Sequence, residues 1–283
     1  MYPILFRIPE TVPLIGGFAL HSFGVMVGLA FLLGTYVLQR RLVPQGYAQN
    51  KVVDVALSAA IAGFIGAKLF WLFSRPDRLA TDPLGALLSG TGFTWYGGLL
   101  LGLLVFWLSL RRAKIPAGKA LDGLALALPL SIAVGRVGCF LAGDDYGRPT
   151  DSPLGVAFPE GFPPTTVDRL QDSFGLTVDP VLIEQFGQVI PVHPTQLYES
   201  AISLAVFGVL ATRKGPKTDG WLFALWLCLY GVQRFSVEVL RVNPRVFLGL
   251  TVAQLISLAA VAIGAFYLVK LGQNQPNRTA GAS

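Results

Sequence analysis

The chain predicts an all-α integral membrane protein of seven transmembrane helices, with its N-terminus outside and its C-terminus cytoplasmic. Of 283 residues, 53% are hydrophobic and only 13% charged, whereas soluble domains carry about 25% charge. The mean hydropathy is +0.60. Apolar stretches of crossing length fall at 17–39, 52–74, 93–110, 118–141, 194–212, 219–241 and 247–271. They are continuous rather than alternating, so each satisfies its own backbone as a helix instead of pairing into a barrel.

The first stretch does not read as a cleavable signal. Its only upstream basic residue is Arg7, Pro3 and Pro9 flank it, and no small-residue cleavage site follows. The loops after the first, third and fifth stretches hold Arg40, Arg41, Lys51, Arg111, Arg112, Lys114, Lys119, Arg213, Lys214 and Lys217. Acids such as Asp77, Asp82, Asp144, Asp145, Asp151 and Glu160 lie on the other side. The excess of Lys and Arg marks the cytoplasmic side and sets the orientation, although Arg75, Arg78, Arg148, Arg169 and Arg245 fall on the other side. The net charge of +6 is thereby a topology signal, and nothing points to nucleic acid.

Residues 1–271 read as a single polytopic domain, with an outer loop region at about 143–192 and a disordered cytoplasmic tail at 272–283. The outer region is rich in Gly, Pro and Asp, but Phe158, Phe162, Phe174, Ile183 and Ile190 argue against plain disorder, and 165–173 and 180–187 suit short helices. Cys139 and Cys228 fall at different depths, which disfavours a disulfide. With no Cys/His cluster, neither a metal nor a cofactor is expected.

Charged groups inside the apolar stretches need partners, because each costs roughly 2.5–3.5 kcal/mol in hydrocarbon. At a rise of about 1.5 Å per residue, Arg234 stands about 22 Å above Asp219 and Arg136 about 25 Å above Lys119. Lys68, Tyr96, His193, Gln196, Tyr198 and Glu199 reach a similar outer layer. Tyr230, Arg234, Glu238 and Arg241 fall on one helical stripe. Arg234 and Glu238 are spaced to neutralise each other, which leaves Arg136 and Lys68 as the cations of an expected anion site.

The run Gly135-Arg136-Val137-Gly138-Cys139-Phe140-Leu141-Ala142-Gly143-Asp144-Asp145-Tyr146-Gly147-Arg148-Pro149-Thr150 resembles the signature of the prolipoprotein diacylglyceryl transferase family. The likeness extends to Tyr96-Gly97-Gly98, to His193-Pro194-Thr195-Gln196-Leu197-Tyr198-Glu199, and to the segment from Tyr230 to Arg241. These motifs stand in family order. The resemblance implies a bacterial cytoplasmic (inner) membrane enzyme that moves diacylglyceryl from phosphatidylglycerol to the lipobox cysteine of a prolipoprotein signal peptide. Glycerol phosphate leaves and a thioether forms. It implies catalytic roles for Arg136, Arg234 and Tyr96. Substrate binding would fall to Arg136, Lys68, His193, Gln196, Tyr198, Glu199, Tyr230, Glu238, Arg241, Asp144, Tyr146 and Gly147. Two arginines suit a phosphate because each guanidinium is a planar fork of donors.

The chain departs from the family pattern. Tyr96 stands where His is common, and a free phenol, ionising near pH 10, is the weaker base. Cys139 and Ala142 stand for Asn, Asp144 for Glu, Phe23 for Tyr and Lys68 for Arg. These leave open a paralogue acting on another lipid or thiol, and a catalytically silent lipid-binding protein. Plainer readings also stand: His193 as a helix-start hydrogen bonder, Gly97-Gly98 as a packing device, Cys139 as a small buried hydrophobe, Tyr96 as an interfacial aromatic.

Overall fold

The computed structural model describes residues 3–7, 9, 11, 17, 19–88, 92–213 and 218–273. In chain order the elements are β1 (Ile4–Arg7), β2 (Ala19–His21), α1 (Ser22–Leu42), α2 (Gln49–Ser74), α3 (Pro76–Thr81), α4 (Pro83–Leu88), α5 (Trp95–Ala113), α6 (Ala117–Ala142), α7 (Val167–Phe174), α8 (Pro180–Phe186), α9 (Thr195–Thr212), α10 (Trp221–Glu238), β3 (Arg245–Phe247), β4 (Leu250–Thr251) and α11 (Val252–Gln273). The only sheets among the described residues are two antiparallel hairpins, β1–β2 and β3–β4.

Among the described residues five helices have the length and apolarity to cross a membrane: α1 with the turn that follows it, α2, α5, α6 and α11. Helix α9 is apolar but shorter, over Thr195–Ala211, and α10 carries Arg234 and Glu238 in its 18 residues. Large apolar side chains on these helices stand exposed, among them Phe64, Phe73, Leu100 and Phe266. A helix surface of that kind needs a hydrocarbon solvent.

Three expected boundaries shift. Helix α1 begins at Ser22, not at 17, because Ala19–His21 pairs with Ile4–Arg7 and the Ser22 backbone N–H donates to the Pro3 carbonyl. Helix α11 begins at Val252, not at 247, because Leu248 and Gly249 turn left-handed (φ 47° and 72°) and close the β3–β4 hairpin. Helix α10 ends at Glu238, so Arg241 lies beyond it in a turn and not on the expected stripe. Helices α3 and α4 were not anticipated. Helix α11 includes residues 272 and 273; the rest of the expected disordered tail, 274–283, lies outside the described residues.

The chain forms two compact units, residues 1–34 with 124–283 and residues 35–123. In the second unit α2 and α5 pack almost backbone to backbone. A Cβ at Gly66 would run into the carbonyl oxygen of Gly97, and one at Gly98 would lie 3.0 Å from that of Gly63. The packing role of Gly97-Gly98 is the one realised, since glycines let helices approach to van der Waals contact. Leu38, Leu42, Val52, Val55, Leu110, Ile115 and Ala120 form this unit's buried core.

In the first unit α10 and α11 use the same device, with Gly231 against the Ser257 carbonyl and Gly264 against that of Ala224. Ala125, Val206, Leu210, Leu222 and Trp226 bury the contacts of α6, α9 and α10. The long loop region at about 143–192 is ordered around its own core of Tyr146, Phe158, Leu170, Val178, Ile190 and Val192. Helices α7 and α8 fall close to the expected 165–173 and 180–187.

Candidate active site

Glu199 is the hub. It sits in the first turns of α9, 3% exposed, and receives three guanidiniums. Arg136 of α6 reaches one carboxylate oxygen through Nε. Arg234 of α10 and Arg241 beyond it reach the other at 3.2 and 3.4 Å. Arg234 also holds Glu238 Oε2 at 2.7 Å, the expected one-turn pair. Glu238 Oε1 accepts from Asn243 Nδ2 at 2.7 Å and from Thr251 Oγ1 at 2.8 Å. Asp145 closes the circuit, bonding Arg136 Nη1 at 2.7 Å and the Nη2 of Arg241.

Three guanidiniums thus meet three carboxylates, so the network is neutral. Arg136 is not the spare cation expected from sequence, because Glu199 and Asp145 both bind it. Burial is uneven, with side-chain exposures of 21% for Arg136, 17% for Arg234, 6% for Arg241 and 0% for Glu238. Glu199 and Glu238 lie beneath, Asp145 is half-exposed, and the edges of Arg136 and Arg234 remain reachable.

Loop pairing sets this geometry. The chain leaving α6 lies beside the strand entering α9 and the turn leaving α10. Gly147 N–H donates to the His193 carbonyl at 2.8 Å, and Arg148 N–H to that of Leu240 at 2.8 Å. Only glycine fits at 147: a Cβ would come within 2.7 Å of the Leu240 oxygen and 2.9 Å of the His193 Cβ. Gln196 Nε2 donates to the Asp144 carbonyl at 2.6 Å and Thr195 Oγ1 to that of Asp145 at 2.9 Å. Gln233 Nε2 donates to Ser203 Oγ at 2.7 Å and to the Glu199 carbonyl at 3.2 Å, fixing the hub's backbone.

The two neighbouring aspartates differ. Asp145 would be raised by burial, but Arg241 and Arg136 outweigh that and hold it below the usual carboxylate range. Asp144 is pushed up to about 6, by burial first and by the charge of Asp145 second. Burial pushes the Tyr146 phenol up as well.

Of the residues singled out from sequence, the first unit brings Arg136, Glu199, Arg234, Glu238 and Arg241 into one network. Gln196, Tyr146 and Gly147 build its loop. Tyr146 is buried against Phe158 and donates to the Pro163 carbonyl at 2.8 Å. His193 does not cap α9 with its side chain; its Nδ1 lies 3.5 Å from the Tyr198 hydroxyl. Tyr230 stacks on Trp226. Lys68 and Tyr96 belong to the second unit. The Lys68 ammonium is buried, 5.1 Å from the ring centres of Trp71 and Phe93. Tyr96 is 52% exposed at the start of α5. Cys139 is a buried free thiol, 3.7 Å from Arg136 Nη1.

From sequence, Asp145 reads either as a solvated loop acid or as a partner for Arg136 or Arg148 at the mouth, and the pairing with Arg136 is the one formed; Gln233, Asn243 and Thr251 were missed. Asp145 carried one usable signal, since it stands nine residues after Arg136 at the end of a glycine-bounded stretch. Gln233 bonds residues 30 or more positions away, and Asn243 and Thr251 reach Glu238 only because the chain turns back after α10.

A family model described as prolipoprotein diacylglyceryl transferase matches residues 9–270. The phosphatidylglycerol–prolipoprotein diacylglyceryl transferase of Clostridium tetani is 30% identical over 270 residues, covering 94% of this chain and 96% of that protein. Number 2 of the same name from Streptomyces coelicolor is 31% identical over 264 residues, covering 88% of this chain and 76% of its own. The Bordetella bronchiseptica protein of that name is 30% identical over 277 residues, covering 92% and 95%.

Proposed function

The chain belongs to the prolipoprotein diacylglyceryl transferase family, and we propose that Arg136 and Arg234 bind the phosphate of its lipid donor. The enzyme transfers the diacylglyceryl group of phosphatidylglycerol to the lipobox cysteine thiol of a prolipoprotein, as a multi-pass protein of the bacterial inner membrane. The sulfur, as thiolate, attacks the glyceryl carbon that carries the phosphate oxygen. A C–S bond forms, the C–O bond breaks, and its electron pair leaves with glycerol phosphate. Negative charge builds on the departing phosphate, so fixed guanidiniums there lower the barrier.

One observation carries this assignment. Two arginines are held from beneath by buried Glu199 and Glu238 and keep partly exposed edges. Positioned donors of that kind do not have to reorganise during the reaction. Tyr96, exposed in the first turn of α5, is the proposed acceptor of the thiol proton. Lys68, with His193, Tyr198 and Tyr230, is assigned to substrate binding, while Gln196, Asp144, Tyr146 and Gly147 shape the loop around the clamp. We read residues 1–271 as one polytopic domain with seven spans and the N-terminus outside. Among the described residues, seven helices of 18 or more residues, together with the Lys/Arg bias of three short loops, support this.

The test is purified protein with phosphatidylglycerol and a lipobox peptide, read by mass spectrometry for the diacylglyceryl adduct. Lys keeps the charge but not the fork, so Arg136→Lys and Arg234→Lys are each expected to cut transfer by at least about tenfold, a loss of roughly 1.4 kcal/mol of transition-state stabilisation. Near wild-type rates in both would remove the clamp.

A further inference from the structure

We propose that Asp145 is a resident anion whose carboxylate occupies Arg136 and Arg241 in the unliganded chain and is displaced by the phosphodiester of the incoming lipid. The proposal rests on the phosphate-clamp reading above. The network already balances three guanidiniums with three carboxylates. Asp144 stands beside the network as a further carboxylate, so a lipid phosphate adds negative charge to a site already balanced or in excess, and like charges in a shielded site repel strongly. One carboxylate must give way.

Only Asp145 is placed to do so. Glu199 and Glu238 are buried, and Glu238 is also tied down by Asn243 and Thr251. Asp145 is 48% exposed, and among the described residues its carboxylate bonds only the two arginines. Its backbone stays put, because Thr195 Oγ1 holds its carbonyl and Gln196 holds that of Asp144. The carboxylate therefore leaves by rotation about its own side-chain bond, from half-exposed to solvated, with little desolvation to overcome. The exchange is one negative group for another, so a monoanionic phosphodiester preserves the charge balance of the network.

Asp145 takes a left-handed backbone, φ 59°, which Asn tolerates better than residues such as Ala. Asp145→Asn thus removes the charge and keeps the turn. With the resident anion gone, the apparent KM for phosphatidylglycerol in mixed micelles is expected to fall about three- to tenfold, the scale of releasing the two ion pairs of a half-exposed carboxylate. The phosphatidylglycerol-induced rise in melting temperature should be larger in the variant than in wild type, which also reports that the variant folds. Inorganic phosphate, tested as an inhibitor, separates the sources. Unchanged inhibition beside a lower lipid KM supports exchange with lipid-borne phosphodiester. Stronger inhibition as well supports exchange with phosphate from either carrier. An unchanged or raised KM, or a lower kcat at unchanged KM, overturns the proposal and leaves Asp145 as a brace for the arginines. If Arg136→Lys alters neither lipid KM nor kcat in an active enzyme, the clamp reading falls, and the exchange falls with it.

Discussion

Replacing Glu199 by Gln removes one charge from the centre of the network and leaves its shape intact. Three guanidiniums then face two carboxylates, Glu238 and Asp145, and the hub oxygen that served Arg136 becomes part of a neutral amide. Removing one partner of a buried ion pair costs about 3–5 kcal/mol, because the other charge stays buried without compensation. Gln keeps one carbonyl oxygen for Arg234 or Arg241, which points to the low end, about 3 kcal/mol. For a chain of this size each kcal/mol moves the melting temperature by about 2–4 °C, so a fall of roughly 6–12 °C is expected in detergent. Transfer should fall with it, since Arg136 and Arg234 both lose their seat. Thermal unfolding followed by intrinsic fluorescence, with adduct formation measured on the same preparation, gives both numbers. A melting temperature within about 2 °C of wild type, together with undiminished transfer, would refute the view that Glu199 organises the arginines.

Tyr96→Phe keeps the ring and removes the hydroxyl, so a large loss of transfer at unchanged melting temperature is expected; equal rates across mildly acidic to mildly alkaline pH would end the proton-acceptor role. Asp144 is protonated more readily in the fold, at about 6, than in the unfolded chain, at about 3.8. The unfolded state therefore releases its proton first, and stability falls as pH rises between those values. Asp144→Asn should match wild type in melting temperature near pH 4 and exceed it at pH 7; an equal gap at both pH values would show that the carboxyl does not titrate in this window. For orientation, a lone cysteine introduced at Gly46 should resist a membrane-impermeant thiol reagent in intact cells, and one at Asp172 should react. The opposite pattern would invert the topology.

Much of the fold was legible because a membrane helix is a local pattern. A run of apolar residues long enough to span hydrocarbon announces itself without any knowledge of its neighbours. Hence α2, α5, α6 and α9 fall within a few residues of their expected limits. The errors occur where short strands pair at the ends of the apolar stretches. The β1–β2 hairpin consumes Ala19–His21, and the β3–β4 hairpin consumes Arg245–Thr251. Periodicity also placed Arg241 on a helix that stops three residues earlier, because the turn leaving α10 bonds instead to the loop leaving α6.

For the site, sequence alone determined which groups are present. Charges inside apolar stretches must find partners, and the motifs around Arg136, Glu199 and Arg234 marked their kind. Which charge meets which was decided only by tertiary structure. Glu199 and Arg136 are 63 residues apart, yet α9 and α6 bring them together. Asp145 reads from sequence as either a solvated loop acid or a partner of a nearby arginine, and only the fold, with its turn pinned by Thr195 and Gln196, makes its carboxylate bridge Arg136 and Arg241. Ion pairing acts over a few ångströms in space, and the one-dimensional chain specifies those distances only through the packing of helices far apart along it.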